Sequence, residues 1–280
     1  MAEAWMELLR RELKRRTGVL LEPGREPAIV QRLAGAARAR GLADPEALVR
    51  RAFDQLDLGA QTLVLDAMMN HETSFFRDRA PFEEFRKTIL PTLLDARAGV
   101  RRLRIWSAAC ATGQEPYSLA MVLDEEARRL KGWEIEIVAT DVSEAALNVA
   151  REGFYNQFEV QRGLPVSQLL RYFSREGDRW RIAEHIRASV DFRQSNLLRD
   201  LSRLGSFDLV LCRNVLIYFD LETKKQVLER LAGALSPDGV LLLGAAESTI
   251  GLSRSLAAAP NRPWLCWRRE QDQPRLRLVN

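Results

Sequence analysis

Hydrophobic and polar positions divide the chain into two regimes. From about Trp5 to Met69 apolar residues recur at helical spacing, and the stretch reads as helices joined by short turns. Leu8, Leu9 and Leu13 mark one helix, flanked by Arg10, Arg11, Lys14, Arg15 and Arg16 and closed near Gly18. Pro27 opens a second, with Ile29, Val30, Leu33 and Ala37 inward, Arg25, Arg32, Arg38 and Arg40 outward, and Gly41 at its end. Asp44 and Pro45 start a third through Leu48, Val49 and Phe53, the aspartate as cap and the proline in the first turn. A fourth runs from Leu58 or Gly59 through Leu63, Leu65 and Met68.

A further helix is predicted from Phe82 to Ala96, with Pro91 marking a break, and then the period changes. Leu103, Ile105 and Trp106 form a short apolar run. It gives way to small residues from Ser107 to Gly113 and then to an amphipathic run with Tyr117, Leu119, Met121 and Leu123. That is a strand, a tight turn and a helix. Trp133 to Asp141 repeats the pattern and ends its strand on a carboxylate, before a helix from Ser143 to Glu152. Phe207–Cys212, the helix Leu221 to Leu235, the strand Val240–Leu243 and a last strand at Trp264–Trp267 continue it. Alternating strands and helices predict an α/β fold around a mostly parallel sheet. Between Ala150 and Phe207 the alternation lapses: Gly153 to Arg162 reads as a loop and Val166 to Phe173 as a short helix. Asp178–Ile182 and Ile186–Phe192 read as small antiparallel strands, the last able to rejoin the main sheet. Such an insertion fits a partner-binding appendage or a plain loop embellishment equally, with His185 in a structural place.

Composition adds limits. A chain of 280 residues accommodates one large domain and one small one. No apolar run reaches the roughly 18 residues of a membrane span, and Met1 to Leu20 is charged where a signal peptide would be apolar, so a cytoplasmic protein is expected. Cys110, Cys212 and Cys266 form no Cys-x-x-Cys pair, and His71 and His185 are the only histidines, so no disulfide framework or metal site is expected. The net charge of +4 and pI near 9.2 come from arginines in short runs beside carboxylates. Nucleic acid could account for that excess, and so could an acidic protein surface. The helical region carries no catalytic constellation and reads as a recognition module or lid, in which Arg25, Arg32 and Arg38 could meet an acidic helix.

In open parallel sheets ligands sit at the carboxyl ends of the strands, which gathers Ser107 to Gly113, Asp141, Asn196 and Cys212 to Tyr218 around one crevice. Asp141 is placed to accept hydrogen bonds from the ribose hydroxyls of an adenosine cofactor. The turn lacks the G-x-G-x-x-G that brings a pyrophosphate onto bare backbone. It has Ala109, Ala111 and Gly113, followed by Gln114 and Glu115, and an acidic turn suits a cationic sulfonium better than a phosphate. S-adenosylmethionine is therefore favoured over NAD. Before the first strand, Phe75 and Phe76 read as core or cofactor-wall residues. Arg77 beside them can orient a carboxylate through paired hydrogen bonds or form a surface pair with Asp78 or Glu83.

These segments together resemble the chemoreceptor glutamate methyltransferase family, CheR. The likeness rests on Glu-Thr-Ser-Phe-Phe-Arg-Asp (72–78), Trp-Ser-Ala-Ala-Cys-Ala-Thr-Gly-Gln-Glu-Pro-Tyr-Ser (106–118) and Ala-Thr-Asp (139–141). Asn-Leu-Leu (196–198) and Cys-Arg-Asn-Val-Leu-Ile-Tyr-Phe-Asp (212–220) complete it. It covers nearly the whole length and is far more specific than a generic methyltransferase turn. It implies a helical domain over residues 1–70 and a class I, Rossmann-like methyltransferase domain over residues 71–280, with an inserted antiparallel β-subdomain around residues 160–192. The implied reaction moves a methyl group from S-adenosylmethionine to glutamate carboxylates on the cytoplasmic helical bundle of chemoreceptors, leaving the methyl ester and S-adenosylhomocysteine. By the same resemblance His71, Thr73, Arg77, Ala109, Glu115, Asp141, Asn196, Leu197, Cys212, Arg213 and Asn214 contact cofactor, while Arg77 and Tyr218 flank the transferred methyl. A glutamate is already ionised at neutral pH, so no general base is needed. In-line placement lowers the barrier. The enzyme is expected to act as a monomer, without nucleic acid and without inserting into the membrane. Two departures stand out: His71 replaces the asparagine many members carry two residues before the threonine, and the insertion is shorter than in members that dock on a receptor's terminal pentapeptide. The second suggests independence from that tether. Two rivals remain. A nucleic-acid methyltransferase would need an Asn/Asp-Pro-Pro-aromatic signature where this chain has Arg213-Asn-Val-Leu216. A non-catalytic scaffold that binds S-adenosylmethionine would not need Arg77 and Tyr218.

Overall fold

Each amino-terminal helix starts or stops where its sequence provides the partner for its end. In the computed structural model, which describes residues 2–268, α1 (Ala2–Thr17) closes on Gly18, whose φ of +78° suits a residue without Cβ. Pro27 stands in the first turn of α2 (Glu26–Ala39). The Asp44 carboxylate accepts from the Ala47 amide at 2.8 Å to open α3 (Pro45–Phe53), and Asp57 does the same for the Ala60 amide at 3.0 Å to open α4 (Leu58–Met68). Leu9, Leu13, Leu33, Leu48, Val49 and Val64 form the fully buried centre of this first unit. Val30, expected inward, is exposed. It lies one residue past the buried Ile29, about 100° round the helix. The unit runs to His71 and takes in Tyr218–Thr223. Val19 bridges Phe219, the Leu20 amide donates to the Tyr218 carbonyl at 2.9 Å, and Lys14 pairs with Asp220 at 2.7 Å.

The second unit comprises Glu72–Ile217 and the chain from Lys224. Residues 269–280 of the expected methyltransferase domain lie outside the described residues. The predicted helix from Phe82 to Ala96 proves to be α5 (Ala80–Glu84), one π turn at Phe85–Ile89, and α6 (Leu90–Ala96). Pro91 has no amide to return to the carbonyl four residues back, and the ladder widens just before it, the Leu90 amide donating to the Phe85 carbonyl. The chain then runs through β1 (Arg102–Ala108), α7 (Gln114–Glu125), β2 (Glu134–Asp141) and α8 (Glu144–Glu152). β3 (Phe154–Tyr155), α9 (Gln157–Gln161), α10 (Val166–Tyr172), β4 (Phe173–Glu176), β5 (Arg179–Ile182) and α11 (Glu184–Arg187) make the insertion. β6 (Val190–Gln194), β7 (Phe207–Cys212), α12 (Leu221–Ala234), β8 (Leu235–Leu243), β9 (Leu256–Ala259) and β10 (Arg262–Arg268) complete it.

The seven-stranded sheet has the order β6-β2-β1-β7-β8-β10-β9, with β6, β2, β1, β7 and β8 parallel and β10 antiparallel to both neighbours. This is the expected α/β architecture. The chain moves outward from β1 to β2 and β6, then returns to place β7 on the other side of β1. Such a reversal is where open parallel sheets bind ligands, at the strands' carboxyl ends. Apolar residues meet across the three inner strands, with Ile105 between Ile137 and Leu209, and the buried Trp106 indole donates to Thr140 at 2.9 Å.

The small antiparallel sheet, order β3-β5-β4, stands apart from the main one. The segment Gly153 to Arg162, expected as a loop, contains β3 and α9 because Asn156 and Glu159 form a reciprocal capping box at 2.8 and 2.9 Å. The small sheet thus begins at Phe154, and Val190–Gln194 rejoins the main sheet beside β2. Among the described residues no helix is long and apolar enough to cross a membrane.

Candidate active site

The loop after β1 is locked from several sides. The Cys110 amide donates to the Thr140 carbonyl at 2.9 Å, the Gly113 amide to the Cys110 carbonyl at 3.0 Å, and the Tyr155 hydroxyl to the Thr112 carbonyl at 2.9 Å. Gly113 has the expected left-handed backbone, φ +94°, and a Cβ there would stand 2.9 Å from the Ala150 methyl. Ala109 and Ala111 are left-handed as well, at +56° and +49°. Nothing in an alanine announces that conformation, which costs on the order of 1 kcal/mol or more per residue.

Asp141 at the end of β2 is buried. One of its oxygens accepts from the Ala111 amide and the other from the Ser143 amide, both at 2.9 Å. The carboxylate therefore holds the β1 loop as well as standing at its rim. A carboxylate has about four acceptor positions, so this does not exhaust its capacity. Beside it Asn196 accepts from the Leu198 amide at 2.9 Å, and Leu197 is buried.

Glu115 does not stand bare. The Ser107 hydroxyl donates to one oxygen at 2.8 Å and the Arg213 guanidinium to the other at 3.0 Å. Arg213, whose side chain is only 1% exposed, also donates to Asp78 at 2.7 Å and to the Arg77 carbonyl at 2.8 Å. The sequence paired Arg77 with Asp78 or Glu83 as its alternative; the structure gives Asp78 to Arg213. Arg77 itself is half-buried, and a single hydrogen bond of its guanidinium appears among the described residues, to the Glu72 carbonyl at 3.0 Å. Glu72 in turn pairs with Arg162 at 2.6 Å, which holds its carboxyl below the usual range. Thr73 is half-buried, and Phe75 and Phe76 are core residues.

Cys212 ends β7 fully buried, and burial pushes its thiol well up, as it does that of Cys110. Both thiols stay protonated and neither is a nucleophile. Asn214 follows with φ +59°, and the amides of Asn214, Val215 and Leu216 converge on one point. Glu247, from the loop after β8, fills it: its carboxylate accepts from these three amides at 2.9, 2.9 and 2.7 Å and from the Gly244 amide at 2.7 Å. Sequence reasoning passed over Glu247. The available signal was an acid shortly after a buried strand, the same arrangement that singled out Asp141.

Of the expected site residues, Thr73, Arg77, Ala109, Glu115, Asp141, Asn196, Leu197, Cys212, Arg213 and Asn214 belong to the α/β unit, in the 72–79 segment or at the strands' carboxyl ends. His71 and Tyr218 belong to the helical unit. The Tyr218 hydroxyl accepts from the Asn70 side chain at 2.6 Å, and the buried His71 Nε2 has no hydrogen-bond partner among the described residues. Arg25, Arg32 and Arg38 are all exposed. Arg25 and Arg32 are seven residues apart and share a stripe of α2, whereas Arg38 lies about 120° round the helix from Arg32.

The donor set suits a cationic adenosyl cofactor. The turn is built of small residues, Asp141 is a fixed acceptor, and Glu115 is an acid at the start of α7. The convergent amides after β7, an arrangement that takes anions, are filled by Glu247.

Comparison with known proteins agrees. The family profile described as CheR methyltransferase, SAM binding domain, matches residues 71–261. Chemotaxis protein methyltransferase 1 of Pseudomonas aeruginosa is 43% identical over 252 residues, covering 88% of this chain and 91% of that protein. Chemotaxis protein methyltransferase Cher2 of Pseudomonas putida is 41% identical over 244 residues, covering 86% and 88%. Chemotaxis protein methyltransferase 1 of Vibrio cholerae is 36% identical over 246 residues, covering 87% and 88%.

Proposed function

The chain belongs to the CheR methyltransferase family, and from that premise we propose that it is a protein-glutamate O-methyltransferase acting on the cytoplasmic helical bundle of chemoreceptors. S-adenosylmethionine, the family's cofactor, supplies an electrophilic methyl group, and the products are the glutamate methyl ester and S-adenosylhomocysteine. The observation that carries the reading is the pair of acids at the strands' carboxyl ends, Asp141 fixed by two amides and Glu115 held by Ser107 and Arg213.

The substrate carboxylate is ionised at neutral pH and needs no base. Arg77 would hold it by paired hydrogen bonds, and Tyr218, whose hydroxyl is oriented by Asn70, would help position it. Asp141 would take the ribose hydroxyls, and Glu115 the cationic end of the cofactor. Thr73, Ala109, Asn196, Leu197 and the Cys212–Asn214 turn would complete the cofactor contacts. His71 is a further proposed cofactor contact. In that unit Arg25 and Arg32 offer a cationic stripe suited to an acidic receptor helix, with Arg38 on a neighbouring face. The enzyme would work in the cytoplasm as a monomer. The brevity of β3, β4 and β5 supports independence from a receptor tail.

The test is transfer of labelled methyl to a purified receptor cytoplasmic fragment, followed by alkali. Base-labile label, lowered about a hundredfold by Arg77→Ala, supports the reading; alkali-stable label would refute a carboxyl ester. Removing the fragment's last residues should leave the rate unchanged, and a large loss would show that a tether is used.

A further inference from the structure

We propose that Arg213 is a positioning residue for Arg77: its buried guanidinium fixes the left-handed turn Phe76–Arg79 and ties that turn to Glu115 at the start of α7. The proposal rests on the reading of Arg77 as the group that holds the substrate carboxylate.

Three of the four residues in the turn have positive φ, Phe76 at +49°, Asp78 at +67° and Arg79 at +42°. Residues with a side chain adopt this region rarely, and a run of them persists only where the surroundings hold it. The Phe76 amide donates to the buried Ser118 hydroxyl at 2.9 Å, and the Arg79 amide to the Phe76 carbonyl at 2.9 Å. Arg213 supplies the rest. One of its Nη atoms donates to both the Arg77 carbonyl and the Asp78 carboxylate, the other reaches Glu115, and the guanidinium lies 5.6 Å from the Phe82 ring centre. From the insertion, Gly163 packs so closely that a Cβ on it would come within 2.1 Å of the Phe75 carbonyl oxygen.

Arg77 is therefore attached to a peptide whose carbonyl is fixed by the same guanidinium that grips Glu115. The 72–79 segment, the start of α7 and the end of β7 are joined through one side chain. A planar fork can serve three acceptors on separate segments, whereas a lysine ammonium in the same place is a single point charge. The three acceptors of the Arg213 guanidinium, the Arg77 carbonyl, Asp78 and Glu115, lie on two segments of the α/β unit that its own strand does not adjoin in sequence.

The experiment compares wild type, Arg213→Lys and Asp78→Asn in the full chain, reading hydrogen exchange by mass spectrometry and methyl transfer to a receptor fragment. Asp78 is 40% exposed on its side chain, so its variant leaves no stripped charge in the core and remains informative if Arg213→Lys fails to fold. We expect amide exchange in the peptide spanning 76–83 to rise about tenfold in Asp78→Asn while peptides from β1 and β7 stay as in wild type. We expect kcat to fall about tenfold with KM for S-adenosylmethionine within about twofold, the size of one charge-assisted hydrogen bond. Unchanged exchange in that peptide would overturn the clamp. Faster exchange with an unchanged kcat would overturn its role in placing Arg77. A wild-type enzyme that transfers no base-labile methyl would sink the carboxyl-methylation reading instead, and the exchange result alone would then judge the clamp.

Discussion

Arg50 in the helical unit reaches Glu46 at 2.8 Å and Asp54 at 3.5 Å along the exposed side of α3. Arg97 in the α/β unit is largely buried and joins Asp208 at 2.7 Å to Asp238 on the β8 strand, more than a hundred residues away in sequence. The contrast recurs throughout. In the helical unit most ion pairs are local and solvated, and each contributes a few tenths of a kcal/mol. In the α/β unit Arg213, Arg97, Arg104, Asp141 and Glu247 link segments that the chain brings together only on folding. Breaking such a link leaves a buried charge or amide unmatched, at about 3 kcal/mol or more. Exposed charge stays available for a partner; buried charge sets the shape of a crevice.

The largest expected effect follows from removing the acceptor that four amides share. Glu247→Ala should cost about 3 kcal/mol in urea unfolding. A loss below about 1 kcal/mol would mean that water replaces the carboxylate and that the staple is incidental. Next comes Gly113→Ala, where a methyl must fit 2.9 Å from Ala150 at a φ of +94°. We expect about 2 kcal/mol of destabilisation and roughly tenfold weaker S-adenosylhomocysteine binding by calorimetry. An unchanged affinity would show that the turn is not at the cofactor.

The helical unit should respond less. Hydrogen bonds from Lys14 and then Thr223 depress the Asp220 carboxyl from 3.8 to about 2. Because its folded value lies below the unfolded one, the stabilisation is complete above the unfolded value and vanishes as pH falls through the folded one. Asp220→Asn should therefore lower the melting temperature slightly at neutral pH, by less than about 1 kcal/mol in stability. The difference from wild type should close between pH ~4 and pH ~2. A difference that persists at the lowest pH would assign the effect to something other than charge. Smallest of all, Arg50→Ala should change stability by no more than about 0.5 kcal/mol.

The same contrast explains what the sequence disclosed. The cap Asp44, the strand-turn-helix at Ser107–Gly113 and the acid at Asp141 were legible, because each is a local pattern with a local cause. The return of Val190–Gln194 to the main sheet was legible from its alternation. Glu247 and the burial of Arg213 were not, since their meaning lies in partners 31 to 33 and 98 to 136 residues away. Nor were the left-handed Ala109 and Ala111, a conformation imposed by the bond from Ala111 to Asp141 and by the packing of the turn. The acidity read from Glu115 was real but already half met by Arg213.

Titration calorimetry of S-adenosylhomocysteine tests most directly the claim that buried charge builds the cofactor crevice while exposed charge serves recognition. Glu247→Gln, which keeps the shape but turns an acceptor into a donor facing amides, should bind at least about tenfold more weakly than wild type. The triple variant Arg25→Ala, Arg32→Ala, Arg38→Ala should bind within about twofold of wild type. Equal affinity in Glu247→Gln and wild type, or a large loss in the triple variant, would contradict the account.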